Sequence, residues 1–563
     1  MRGIHSRFLA AGALALGLAA PALAAPEVVL LGGGGGAADP VAACGDAAAS
    51  PFEPGRDGRG VSDQQIFLGE AVALCEAALA AAPDSAAVKT WLARTYVLVG
   101  RREEAKPLLD SAIEAGNAFA GYLLANVKFA ESWLYPPEEG IDLLAWAADD
   151  DFAPALSALA LRYETGKDLG TDYAAALGLY ERAVAQGDGF AAYKLGDFYQ
   201  YALSVAADPA RAMTFYEQAL ALGEPLGYFG LGQLHEYGVG VPQDYEAAAG
   251  FYQQGADAGE KMAQTSLAYL YEQGVGVAQD FDKSFALLTS AATKNWGFAE
   301  AALSIHYLYG QGTPVDPGKA LRFAQLAVQN DVAYAHGILG YLYSEALGTE
   351  RNLYLAADHF GQGAAQGDQY SADRLPVAEA ELACQTAAGD PHEVKIYAPG
   401  VSWDELDPDT AIPACEAAVA LNPEEVGDMV WLGRAYAKAE RFADAVPLLE
   451  QGVTAGNPLA QLIMGDMLLA GAGVDEDPAA GLALFEAAAA QDFGPAQYGL
   501  GLAHAAGWGG LAPDPQAALE WFRKARDNDV DEATEQIALL AGGGSGGAVA
   551  VDMAGFAREG PRY

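Results

Sequence analysis

Carboxylates return at a fixed interval along this chain, and they are the first residues in it that could do chemistry. Asp172, Asp208, Asp244, Asp280 and Asp316 stand 36 residues apart; Asn352 continues the row, and Asp477 repeats it further on. Clustered carboxylates can exchange protons or hold a cation. One acid per interval, each just before an apolar helical pattern, fits helix capping better, because its side chain accepts the orphan backbone N–H bonds there. The loops Gly238-Val239-Gly240-Val241 and Gly274-Val275-Gly276-Val277 resemble phosphate cradles at first sight. A dinucleotide loop follows a strand and runs on to a third glycine, whereas these follow helical patterns and read as helix ends.

The remaining reactive side chains are sparse. Seven histidines show no ligand spacing, and His235 and His504 fill positions that are otherwise aromatic, which suits packing. The one G-x-S-x-G match, around Ser545, lies in the glycine-rich tail, without the strand and helix that a nucleophile turn needs on either side. No catalytic residue, metal ligand or cofactor is expected, and the chain reads as a non-enzyme.

The elements that carry these residues follow from the period itself. Ala155, Ala191, Gly227, Ala263, Ala299 and Ala335 mark six units of 36 residues. Four residues after each marker stands a leucine, five after it a small residue, and eight after it an aromatic ring or histidine, as in Leu267, Ala268 and Tyr271. Positions 0, +4 and +8 share one face of a helix. A glycine break, the capping acid at +17 and a second apolar set at +21, +24 and +28 complete a helical hairpin. No such unit buries its apolar face alone, so the hairpins stack. The fold expected is all-α: a right-handed α/α superhelical solenoid in two tandem modules.

Two modules are expected because the chain matches itself at an offset of 340. Cys44 falls on Cys384, Cys75-Glu76-Ala77-Ala78 on Cys415-Glu416-Ala417-Ala418, Trp91-Leu92 on Trp431-Leu432, and Pro107-Leu108-Leu109 on Pro447-Leu448-Leu449. Residues 44–375 read as module one and 376–540 as a shortened module two with markers at Ala460 and Ala496. Residues 1–24 read as a signal peptide, with Arg2 and Arg7 before a short apolar stretch and Ala22-Leu23-Ala24 at the cleavage site. Residues 25–43 read as a flexible linker and 541–563 as a flexible tail. No later run is apolar enough to span a membrane. A periplasmic or secreted location is expected. In such an oxidising compartment the repeated spacing pairs Cys44 with Cys75 and Cys384 with Cys415; a four-thiolate metal site or free thiols are the alternatives.

Residues 227–258, GYFGLGQLHEYGVGVPQDYEAAAGFYQQGADA, closely match the Sel-one-like repeat, a subclass of tetratricopeptide-type α/α repeats. The resemblance covers most of 120–375 and 458–540; the openings at 86–115 and 426–455 resemble tetratricopeptide repeats proper. Tyr201-Ala202-Leu203 and Ala346-Leu347-Gly348 depart from the G-x-G-V pattern, so different loops are expected there. The resemblance implies an adaptor that holds partners together.

Charge narrows the partner. Against 75 Asp and Glu the chain has 31 Lys and Arg, a formal net charge of −44, which argues against nucleic acid and favours cationic partners. Positions +2, +6 and +9 of the first helices form a stripe away from 0, +4 and +8. It reads Tyr193, Asp197 and Gln200, then Phe229, Gln233 and Glu236, then Thr265, Tyr269 and Glu272, with Tyr341 further on. Rings beside carboxylates suit a peptide carrying Lys or Arg. The function expected is a non-catalytic periplasmic scaffold that binds another protein or peptide on its concave face. The alternative is an envelope factor that binds or helps assemble cell-wall peptidoglycan or exopolysaccharide.

Overall fold

A computed structural model describes residues 39–53, 60–393 and 400–542. The expected signal peptide, most of the expected linker and residues 543–563 of the expected tail lie outside them. The described residues hold 27 α-helices and no strand, as the period predicts. Helix formation begins earlier than expected, at Pro40, inside the linker assigned to 25–43, where Asp39 accepts from the Val41 N–H.

One repeat shows why the period is so constant. The helix Leu226–Tyr237 ends at Gly238, in the left-handed conformation with φ 68°, and the Val239 N–H reaches back to the Leu234 carbonyl at 2.9 Å. Asp244 then fixes the second helix, Tyr245–Asp257, from both sides. Its side chain accepts from the Ala247 N–H, and its own N–H donates to the His235 carbonyl at 2.9 Å. The same double tie recurs at Asp172, Asp208, Asp280, Asp316, Asn352 and Asp477. A residue gained or lost in the loop would break it. The second glycine of each loop serves the stack instead: a Cβ on Gly276 would lie 2.2 Å from the Tyr245 carbonyl oxygen of the preceding repeat. The two loops expected to differ keep this path, with Ala202 (φ 58°) and Ala346 (φ 55°) in left-handed conformations that cost a residue with a Cβ about 1 kcal/mol.

Between the helices of several hairpins, a glycine at +5 faces a ring at +25. A Cβ on Gly232 would lie 2.3 Å from the Tyr252 ring, and one on Gly465 2.7 Å from Phe485. Tyr216 is wedged between two first helices, since a Cβ on either Gly196 or Gly230 would strike its ring. The alanines at position 0 are fully buried. This is close packing that a single methyl group would disturb.

The chain divides into two compact units. One comprises the described residues up to His306 with Gly310–Pro314; the other comprises Tyr307–Tyr309 and the described residues from Val315. Each contains a disulfide-stapled opening. Cys44–Cys75 joins the helices Pro40–Ala48 and Leu68–Ala81, and Cys384–Cys415 joins Gln369–Ala388 and Pro408–Leu421. The duplicated tryptophan and arginine strap the following loop onto the next helix. Trp91 Nε1 donates to Glu53 and Trp431 Nε1 to Glu393, while Arg94 and Arg434 donate to the carbonyls of Ala48 and Val61 and of Ala388 and Val401. In the second unit the boundary expected at 375/376 falls inside one unbroken 20-residue helix, Gln369–Ala388, with Pro376 in its interior. Its carboxyl-terminal half is the counterpart of Pro40–Ala48.

Candidate binding face

In the first unit the first helices Gly189–Tyr201, Leu226–Tyr237 and Lys261–Gln273 pack side by side, so residues at one helix position form a row across repeats. Phenols set the polar chemistry behind that row. Tyr180, Tyr216 and Tyr252 come from successive second helices and are fully buried. Each hydroxyl donates to the first helix of its own hairpin: Tyr180 to Glu164 at 2.7 Å, Tyr216 to Asp197 at 2.9 Å and to Gln200 at 2.8 Å, Tyr252 to Glu236 at 2.5 Å. The next repeat has Leu288 at that position. There Glu272 accepts from Ser284 Oγ at 2.9 Å and lies 2.9 Å from His306 Nε2. Lys194, itself buried, sits 2.7 Å from Glu164 and 3.2 Å from Asp197. Burial holds the carboxyls of Asp197 and Glu236 above the usual carboxylate range, and the phenols of Tyr216 and Tyr252 well above theirs.

These bonds change the reading of the expected stripe. Tyr193, Asp197, Phe229, Gln233 and Glu236 are buried, and Gln200, Thr265, Tyr269, Glu272 and Tyr341 are half-buried. Tyr193 packs on Tyr216 with ring centroids 5.7 Å apart, and Phe229 on Tyr252 at 6.0 Å. The helical wheel places +2, +6 and +9 clear of the 0, +4, +8 face correctly. A first helix, however, has its hairpin partner on one side and further first helices beside it, so most of the stripe is enclosed, and its acids are acceptors for internal donors.

What stays open is position +10, which sequence reasoning missed. Tyr201 is 43% and Tyr237 45% exposed, and Tyr309 holds the same place in the second unit at 47%. The Tyr201 hydroxyl donates to Gln233 Oε1 of the next repeat at 3.3 Å, which holds its ring along the row. Repetition of tyrosine at +10 was the signal available in the chain. Beside these rings lie the half-buried Tyr269 and Glu272. The arrangement offers flat apolar contact with acceptors at its edge. Among the described residues no group of three or more His, Cys, Asp or Glu side chains could hold a metal ion.

Comparison with known proteins agrees with the architecture. A family model described as Sel1 repeat matches residues 153–188, 189–224, 225–260, 261–296, 297–332, 333–368, 458–493 and 494–530, and one described as tetratricopeptide repeat matches 68–125. No curated protein matches the sequence. Among solved structures the chain is similar to a protective antigen of uropathogenic Escherichia coli displaying an SLR fold, at 24% identity over 77% of this chain and 90% of that one, TM-score 0.38. It is also similar to a Sel1 repeat protein from Oxalobacter formigenes, at 23% identity over 44% of this chain and 100% of that one, TM-score 0.38. An immunity protein from Pseudomonas aeruginosa is a third, at 21% identity over 39% and 83%, TM-score 0.31.

Proposed function

The chain belongs to the Sel1 repeat family, and from that premise we propose that it is a non-catalytic periplasmic scaffold that captures an extended, basic segment of another protein along its first helices. The observation that carries this reading is the row of open tyrosines at +10, Tyr201 and Tyr237, with Tyr269 and Glu272 beside them. Tyrosine gives large contact area at low entropic cost, and rigid rings of this kind are common binding anchors. The net charge of −44 favours a cationic partner and speeds its approach. An extracytoplasmic location is supported by the two disulfides.

Affinity capture from periplasmic extract tests it, comparing the wild-type chain with a Tyr201→Ala/Tyr237→Ala/Tyr269→Ala variant of equal helical content. A protein retained by the wild type and lost tenfold or more by the variant supports the reading. Equal retention by both, or retention only of purified cell-wall or exopolysaccharide fragments, refutes it.

A further inference from the structure

The second unit contains a carboxylate whose internal partners have been removed. Asp466 stands at +6 of the repeat marked by Ala460, the place Asp197 takes in the repeat marked by Ala191. Asp197 has two internal donors: Lys194 Nζ lies 3.2 Å away, and the Tyr216 hydroxyl, which Gln200 also accepts from, donates to it at 2.9 Å. In the repeat of Asp466 the corresponding residues are Ile463, Phe485 and Leu469. The scaffold around the position is otherwise the same. Phe485 seats its ring between Gly465 and Gly499, as Tyr216 does between Gly196 and Gly230. Asp466 keeps its charge-bearing group without any of the donors, and its Oδ2 is buried with no hydrogen-bond partner. The residue as a whole is half-buried.

An unpaired carboxylate against apolar walls is costly, and the cost falls when a cation enters. We propose that Asp466 is the receptor for a single cationic side chain, lysine or arginine, presented by a basic partner segment bound at the second unit. The inference rests on the reading of the chain as a scaffold for a basic partner and gives that reading a specificity residue. In the repeat of Asp197, Lys194 occupies the corresponding cation position from within. Ile463 lacks such a group, so an external ammonium or guanidinium takes its place beside the carboxylate. Ile463, Leu469 and Phe485 leave only apolar side chains at the three positions that carry polar groups around Asp197. Desolvation alone holds the free Asp466 carboxyl well above the usual range, consistent with a site that lacks its counter-charge.

Carbon-13 labelling of aspartate carboxyls in the full chain, with the Asp466 signal identified by its loss in Asp466→Asn, tests this. The probes are Nα-acetyl-lysine methylamide and Nα-acetyl-arginine methylamide, with the norleucine analogue as the uncharged control. The expected result is a titration midpoint for Asp466 that falls by roughly one pH unit or more with a basic probe and is unmoved by norleucine. The double variant Ile463→Lys/Phe485→Tyr restores the internal partners and should abolish the response. Asp466→Asn, which removes an unpaired buried charge, should melt higher than the wild type. No response to either basic probe, an equal response to norleucine, or a lower melting temperature for Asp466→Asn would overturn the inference. The tyrosine variant used for affinity capture leaves Asp466 untouched, so failure of this site and failure of the scaffold reading are distinguishable.

Discussion

Asp428 stands where the other repeats place alanine or glycine, and its counterpart in the duplicated segment is Val88. It is fully buried, and neither carboxylate oxygen has a hydrogen-bond partner. Glu381 faces it from the helix Gln369–Ala388 and Glu425 from the cap of its own helix, while Arg351 reaches both of those acids at 3.4 Å and 3.3 Å. Desolvation, then repulsion from Glu381 and Glu425, pushes the Asp428 carboxyl up to about 8. A carboxyl raised in the folded state binds more protons folded than unfolded. Its penalty is therefore absent below about pH 4 and complete above about pH 8, and between them stability falls by up to about 1.4 kcal/mol per pH unit. Urea unfolding of the second unit across that range should show the slope, and Asp428→Asn should flatten it and raise stability at pH 8. An unchanged slope in the variant would refute the assignment. At this scale the sequence was partly legible. The capping role of Asp172 through Asp477 followed from their place before each second helix. The engagement of Asp197 and Glu236 did not, because it depends on which residue the second helix brings back 16 to 19 positions later.

The hairpin was legible almost entirely, since glycine, capping acid and the 0, +4, +8 set each carry a local physical meaning. Two features were not. The chain writes Tyr201-Ala202-Leu203 without a glycine, yet packing of the loop against its neighbours imposes the left-handed path on Ala202 and Ser204. Ala202→Gly should therefore raise the stability of the first unit by about 1 kcal/mol in denaturant unfolding, whereas a loop free to choose another path would show no gain. Gly232→Ala should do the reverse, because its Cβ would lie 2.3 Å from the Tyr252 ring, which the Glu236 bond and full burial hold in place. A loss of about 1–3 kcal/mol is expected. The other unread feature is the helix Gln369–Ala388, which runs through the expected module boundary. The offset of 340 marks where the duplicated sequence starts, and a duplication can begin in mid-helix. For the stapled openings, Cys44→Ala/Cys75→Ala removes a cross-link closing about 31 residues, which the chain-entropy account values at about 3–4 kcal/mol. Calorimetry with and without reductant checks the size of that loss.

Across the whole molecule, the regular period and the acidic surface point the same way. Repetition supplies a row of equivalent positions, and the open tyrosines occupy one of them. The bulk charge was legible as a preference for cationic partners. The place of contact was not, because a helical wheel treats one helix alone, and enclosure here comes from neighbouring first helices. If the partner is basic, capture should weaken as salt rises from low ionic strength to above physiological, where screening acts within about 8 Å. Capture insensitive to salt would argue for an uncharged ligand.

Amide hydrogen exchange on the complex with the captured partner tests the central claim most directly. The account predicts protection in the first helices, Gly189–Tyr201, Leu226–Tyr237 and Lys261–Gln273, centred on Tyr201, Tyr237 and Tyr269. Protection confined to the second helices, 209–221, 245–257 and 281–292, would contradict it.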